Sequence, residues 1–148
     1  MARGGNECYR DLMPESVYAG GCLCGAVRYV ARGTPRYLCF CHCESCRRAA
    51  GAPMVPWATF ARAEVAITSG TLAQYRSSPG IVRGFCGACG SSLTYLNEAR
   101  AADIDLALAS LDDPGALPPA AHMWVQEKLP WVSIEDGLPR YPAGMPAD

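Results

Sequence analysis

The residues in this sequence with the most chemistry to offer are its cysteines. Nine occur in 148 residues: Cys8, Cys22, Cys24, Cys39, Cys41, Cys43, Cys46, Cys86 and Cys89. Cysteine at this density serves core packing, disulfides, redox catalysis or metal binding. Core cysteines have no reason to cluster, yet seven of these fall into a CxC, a CxCxxC and a CxxC. A disulfide framework suits an oxidising compartment and an even count. Here the count is odd, residues 1–10 hold no apolar run of the secretory kind, and two-residue spacing strains a disulfide ring. Metal binding is the reading that remains.

Zinc takes four ligands at tetrahedral corners, and thiolates at i and i+2 or i+3 reach one ion from a single tight turn. Glycine beside the ligands lets the backbone wrap close to sulfur and point N–H groups at it. Both outer pairs carry it: Gly21-Cys22-Leu23-Cys24-Gly25 and Cys86-Gly87-Ala88-Cys89-Gly90. Pairing the two turns gives a closed four-cysteine site that clips residue 22 to residue 89, the task of a structural zinc.

Between them lies Cys41-His42-Cys43-Glu44-Ser45-Cys46, three thiols in six residues. Three protein ligands and an open fourth position mark a reactive zinc rather than a structural one. Two alternatives stand beside that reading: closure by Cys39, two residues upstream, or closure by His42 or another group. In an extended segment Cys39, Cys41 and Cys43 share one face, and His42 points the other way, which argues against it as a ligand. Cys8 and whichever cysteine is left over read as small buried or tail residues. The expectation is two zincs per chain.

These ligands need a scaffold, and the length fits one domain able to bury roughly two-thirds of its unfolded surface. Residues 1–18 read as a loose lead-in, 19–141 as the domain and 142–148 as a tail. Short apolar segments divided by Gly, Pro and Ser predict a mainly β protein. The predicted strands are 26–31, 37–41, 54–60, 65–69, 72–75, 82–85, 92–96, 104–109, 122–125 and 132–134. Ile104, Leu106 and Leu108 alternate with Asp103, Asp105 and Ala107, although the alanine content leaves a helix over 98–111 open. One short helix is expected at 44–50, and Gly51-Ala52-Pro53 turns the chain out of it. The proline-rich end, 138–146, is expected to lie extended over the surface.

Thirteen basic against fourteen acidic side chains leave a net charge of −1, which argues against a nucleic-acid partner. No run of 18 apolar residues exists, so no membrane helix is expected, and a cytoplasmic location follows from the absence of a leader. Arg47 and Arg48 follow the metal motif directly and are candidates to bind the carboxylates of a substrate, or else are solvated or paired with Glu44. Arg83, a further candidate pocket cation, reads more simply as a surface or strand-edge residue, His122 as a structural histidine rather than a general base, and Trp57, Trp124 and Trp131 as core rather than pocket.

Three stretches together resemble a known family. They are Gly21-Cys22-x-Cys24-Gly25-x-Val27-Arg28-Tyr29, Cys41-His42-Cys43-x-x-Cys46-Arg47-Arg48-x-x-Gly51-Ala52-Pro53, and Arg83-x-Phe85-Cys86-x-x-Cys89-Gly90-Ser91-x-Leu93. With Ser110-Leu111-Asp112-Asp113-Pro114, His122, Trp124 and the Trp131…Asp136-Gly137-Leu138-Pro139 ending, the chain resembles the glutathione-dependent formaldehyde-activating enzymes, a family that includes centromere protein V. The resemblance implies a β-tent fold, antiparallel sheets joined by a structural zinc on Cys22, Cys24, Cys86 and Cys89. It implies a second, catalytic zinc on Cys41, Cys43 and Cys46, and condensation of glutathione with formaldehyde.

Zinc on three thiolates carries a net charge of −1 and is a weak Lewis acid, better suited to holding an external thiol than to activating water. The expected function is a carbon–sulfur lyase-type enzyme in which glutathione or another small thiol adds to a small aldehyde. A zinc-stabilised glutathione carrier without turnover is the alternative.

Overall fold

Strand-forming segments broken by turn residues pair with whatever neighbour covers their apolar face. The computed structural model describes residues 15–146; Cys8 lies outside them. The described chain forms β1 (Val17–Gly21), β2 (Arg28–Arg32), β3 (Tyr37–Cys41), α1 (Glu44–Ala50), β4 (Val55–Ala61), β5 (Val65–Ser69), β6 (Leu72–Ser78), β7 (Ile81–Cys86), β8 (Ser92–Asn97), β9 (Asp103–Ala107) and β10 (His122–Met123). A small sheet has the order β1-β2-β5, and a large one the order β10-β3-β4-β9-β8-β7-β6.

At its centre the large sheet is buried on both faces, as β4 shows. Ala58 and Phe60 join Tyr29, Leu93 and Leu106 in the main core, shared with the small sheet through Tyr29 and Ala31. Val55 and Trp57 point the other way and pack with Cys39, Cys41, Cys46 and Ala107. Tyr29, Phe60, Leu93 and Leu106 are fully buried, each contributing about 1.5–3 kcal/mol of apolar burial. The first face holds the fold together; the second carries the site.

Several expectations are corrected. A strand, β1, covers Val17 and Tyr18, two residues assigned to the lead-in. Residues 132–134 form no strand; the strand expected over 104–109 is present as β9 over 103–107, and the helix left open over 98–111 is not formed. The sheets are not wholly antiparallel: β10 lies parallel to β3, because the chain returns to that edge by a long crossover rather than a hairpin. Trp131 is 72% exposed rather than core. Arg83, expected at the surface or a strand edge, is 7% exposed and sits on β7, between β6 and β8. The end of the chain is tied down, with the Trp124 and Tyr141 N–H groups donating to Ala143 O and His122 O.

Candidate metal centres and active site

Cys22 and Cys24 lie in the turn between β1 and β2 of the small sheet; Cys86 ends β7 of the large one, and Cys89 lies in the turn that leads to β8. Their four sulfurs come within 4.8 Å of one another. Each turn closes through a glycine directly after its second cysteine, Gly25 at φ 80° and Gly90 at φ 78°, a backbone that side chains rarely adopt. That conformation aims N–H groups inward: Val27 N–H donates to Cys22 Sγ at 3.2 Å. The Ser91 hydroxyl lies 3.2 Å from Cys89 Sγ and, with backbone N–H groups, holds that thiol down at about 5. This donor set is complete in itself and suits a thiophilic, tetrahedral ion.

The second group is built from one continuous stretch. Cys41 ends β3, Cys43 caps α1 and Cys46 lies on its inner side, and these three sulfurs also come within 4.8 Å of one another. Cys43 Sγ accepts the Cys46 N–H at 3.4 Å, so a ligand doubles as N-cap. Gly51, at φ 61°, ends the helix and its N–H bonds to Arg47 O. The Cys41 and Cys43 thiols, and behind them the Arg83 guanidinium, hold Cys46 down at about 3; Cys41, the donor of the set, is pushed up.

Neither alternative closure is adopted. Cys39 lies outside the cluster of three; its Sγ is 3.7 Å from Met123 Sδ, and burial pushes its thiol up to about 12. His42 Nε2 is 2.8 Å from His122 Nδ1, and His122 Nε2 is 2.8 Å from Asp136 Oδ2. The two buried histidines, anchored at the surface by Asp136, back the segment that carries Cys41 and Cys43, and burial holds His42 below its ordinary value.

The three cysteines open on a cavity of about 680 Å³ across the second face of the large sheet. Its floor includes a cross-strand row, Thr59 of β4, Asp105 of β9, Tyr95 of β8 and Arg83 of β7, in register. Thr59 Oγ1 donates to Asp105 Oδ1 at 2.5 Å, and Arg100 Nη2 to Asp105 Oδ2 at 2.7 Å. Arg100 also reaches Asp103 Oδ2 at 3.6 Å. Arg83 Nη1 and Nη2 lie 3.7 and 3.8 Å from Cys46 Sγ, and its guanidinium sits 5.0 Å from the Tyr95 ring centre. Trp57 and Trp124 line the cavity, and Gly144, Met145 and Pro146 from the docked tail complete its rim.

Arg47 and Arg48 do not line this cavity. Arg47 Nε donates to His42 O at 3.1 Å, and Arg48 pairs with Glu44 at 2.8 Å on the exposed side of α1. The cavity's arginines are Arg83 and Arg100. In sequence Arg83 reads first as a surface residue and Asp105 only as the polar half of an alternation, while Arg100 and Thr59 carry no local signal. A signal was present in the polar half of the 103–107 alternation, which faces the cavity.

The sequence profile of the glutathione-dependent formaldehyde-activating enzymes matches residues 17–127. A protein of Schizosaccharomyces pombe named as an uncharacterised lyase is 34% identical over 83 residues, 56% of this chain and 58% of that protein's length. A solved structure of a Rhodobacter sphaeroides protein, 19% identical, matches with a TM-score of 0.52 over 83% of this chain and 98% of its own, a likeness of fold. With the matched span containing both cysteine clusters, the chain belongs to the glutathione-dependent formaldehyde-activating enzyme family.

Proposed function

We propose that this protein is a zinc-dependent carbon–sulfur lyase-type enzyme that joins the thiol of glutathione to formaldehyde or another small aldehyde. The observation that carries the reading is the opening of Cys41, Cys43 and Cys46 onto the large cavity, with Cys39 and His42 engaged elsewhere. The four-cysteine cluster, by contrast, has its full set of ligands and serves to tie the two sheets.

A zinc ion on three thiolates supplies a position for one external thiol and favours its deprotonated, nucleophilic form. The chain's own residues do the rest. Cys43 as N-cap and Cys46 on the same short helix hold two donors in fixed relation to Cys41. Trp57 and Tyr95 wall the cavity and pack with Cys41 and Cys46, giving the sulfurs an apolar side. Thr59, Asp105 and Arg100 give it a polar side suited to a small carbonyl compound and a peptide-like thiol. Holding thiol and aldehyde together supplies most of the rate gain, since the two combine readily in water.

The test is exchange spectroscopy by NMR on glutathione and formaldehyde with wild type and Cys43→Ser. Wild type is expected to speed formation and decay of the adduct at least ~10-fold over buffer, and the variant not at all. Equal acceleration by both would refute the proposal. Saturable glutathione binding without acceleration would instead identify a carrier.

A further inference from the structure

We infer that Arg83 is the residue that lets the three-cysteine centre accept an anionic thiol: its guanidinium compensates the charge that a further thiolate brings. The inference rests on the thiol-binding reading above and assigns a role to a residue outside the ligand set.

Arg83 is 7% exposed, yet among the described residues no carboxylate lies within salt-bridge distance of it. The other cavity arginine, Arg100, is paired with both Asp103 and Asp105. A buried guanidinium keeps its charge at any ordinary pH and is costly without an anionic partner. What Arg83 faces is sulfur, an anion whenever Cys46 serves as a thiolate donor: both terminal nitrogens straddle Cys46 Sγ at 3.7 and 3.8 Å. Nε donates to Ser77 Oγ at 3.2 Å and the plane lies over Tyr95, so the fork is held in place from two further directions.

The charge count gives this placement its meaning. A divalent ion on three thiolates totals −1, and a fourth thiolate takes the total to −2 inside a partly buried cavity. With Arg83 the same assemblies total 0 and −1. The four-cysteine cluster takes its final charge from its own donors and, among the described residues, has no arginine hydrogen-bonded to its sulfurs; Arg28, which feels Cys22 through charge alone, is paired with Asp112. Arg83 thus marks the centre that must take on an additional anion. It is a positioning residue, acting on Cys46 and on the charge of the centre rather than on the aldehyde.

The experiment loads wild type, Arg83→Met and Arg83→Lys with cobalt and follows the sulfur-to-metal charge-transfer absorption on titration with reduced glutathione. Native mass spectrometry counts the ions in each. Arg83→Met is expected to keep both ions and to need at least ~10-fold more glutathione, and Arg83→Lys to return within ~3-fold of wild type. Imidazole, an uncharged donor, should bind wild type and Arg83→Met alike, which a merely structural role for Arg83 would not give. If Arg83→Met does not fold, Arg83→Gln makes the same comparison while still able to bond Ser77. Unchanged glutathione affinity in the neutral variant, equal weakening of imidazole, or loss of the second ion from both Arg83→Met and Arg83→Lys would overturn the inference. Absence of any thiol-dependent absorption in wild type would sink the thiol-binding reading itself. Normal wild-type binding with an unaffected neutral variant would remove the role of Arg83 alone.

Discussion

The two cysteine clusters use the same side chain for opposite ends. The four-cysteine cluster draws its ligands from turns of two different sheets, 62 residues apart between Cys24 and Cys86. The three-cysteine cluster comes from one strand end and the helix that follows it. The first therefore does long-range work, closing a loop that would otherwise cost entropy. The second contributes little to closure but stands at the mouth of a cavity, with an arginine against one sulfur. On the proposed reading, donor number and what surrounds the sulfur, rather than the sulfur itself, separate a structural site from a reactive one.

This contrast is most open to attack at the ligands. Cys86→Ser is expected to lose an ion and its cooperative fold at 37 °C, since a structural zinc site is worth about 10–16 kcal/mol against a total stability of about 5–15 kcal/mol. Circular dichroism melts read the outcome; a cooperative transition within about 5 °C of wild type would break the comparison.

Cys43→Ser should do the reverse. It loses the other ion and the acceleration of adduct formation, at least ~10-fold. Its melting temperature should stay within about 5 °C of wild type, because serine is itself a good N-cap. A collapse as severe as that of Cys86→Ser would make both clusters structural.

A smaller effect is expected behind the reactive centre. His122→Phe removes the partner of both His42 Nε2 and Asp136 Oδ2 and leaves a buried imidazole unsatisfied. The loss should be about 1–3 kcal/mol, read as a lower urea midpoint at unchanged m value, with both ions retained. Loss of the second ion would show that the histidine row holds the ligands themselves in place.

The smallest effect lies near the four-cysteine end, where Arg28 binds Asp112 and holds its carboxyl below the ordinary range. A depressed folded value stabilises above the unfolded value of about 3.9 and loses that contribution as pH falls through the folded value. Asp112→Asn should therefore be slightly less stable than wild type near neutrality and should converge with it in acid. Both groups are well exposed, so salt should erase most of the difference. A gap that persists in acid would mean that the pair acts through packing.

Much of this was legible because it is local. Cysteines two or three residues apart with glycine beside them permit few turns, and the structure builds those turns around Gly25 and Gly90. Cys43-Glu44-x-x-Arg47-Arg48 followed by Gly51 contains the cap, the charge order and the stop of a short helix. Strand β1 was missed because Val17-Tyr18-Ala19-Gly20-Gly21 is glycine-rich and its partner β2 supplies what its own propensity lacks.

The sequence by itself determined the two cysteine groupings, the mainly β character and the short helix, since each depends largely on spacing within a few residues. Tertiary structure alone decided that Cys39 turns to Met123, that Arg47 and Arg48 stay outside the cavity, and that Arg83 is buried against Cys46. Those outcomes depend on which strands become neighbours. Arg83 meets Tyr95 because β7 pairs with β8, and Cys46 because α1 returns over the same face of the sheet. A charge's surroundings are set by residues far along the chain, and spacing carries no record of them.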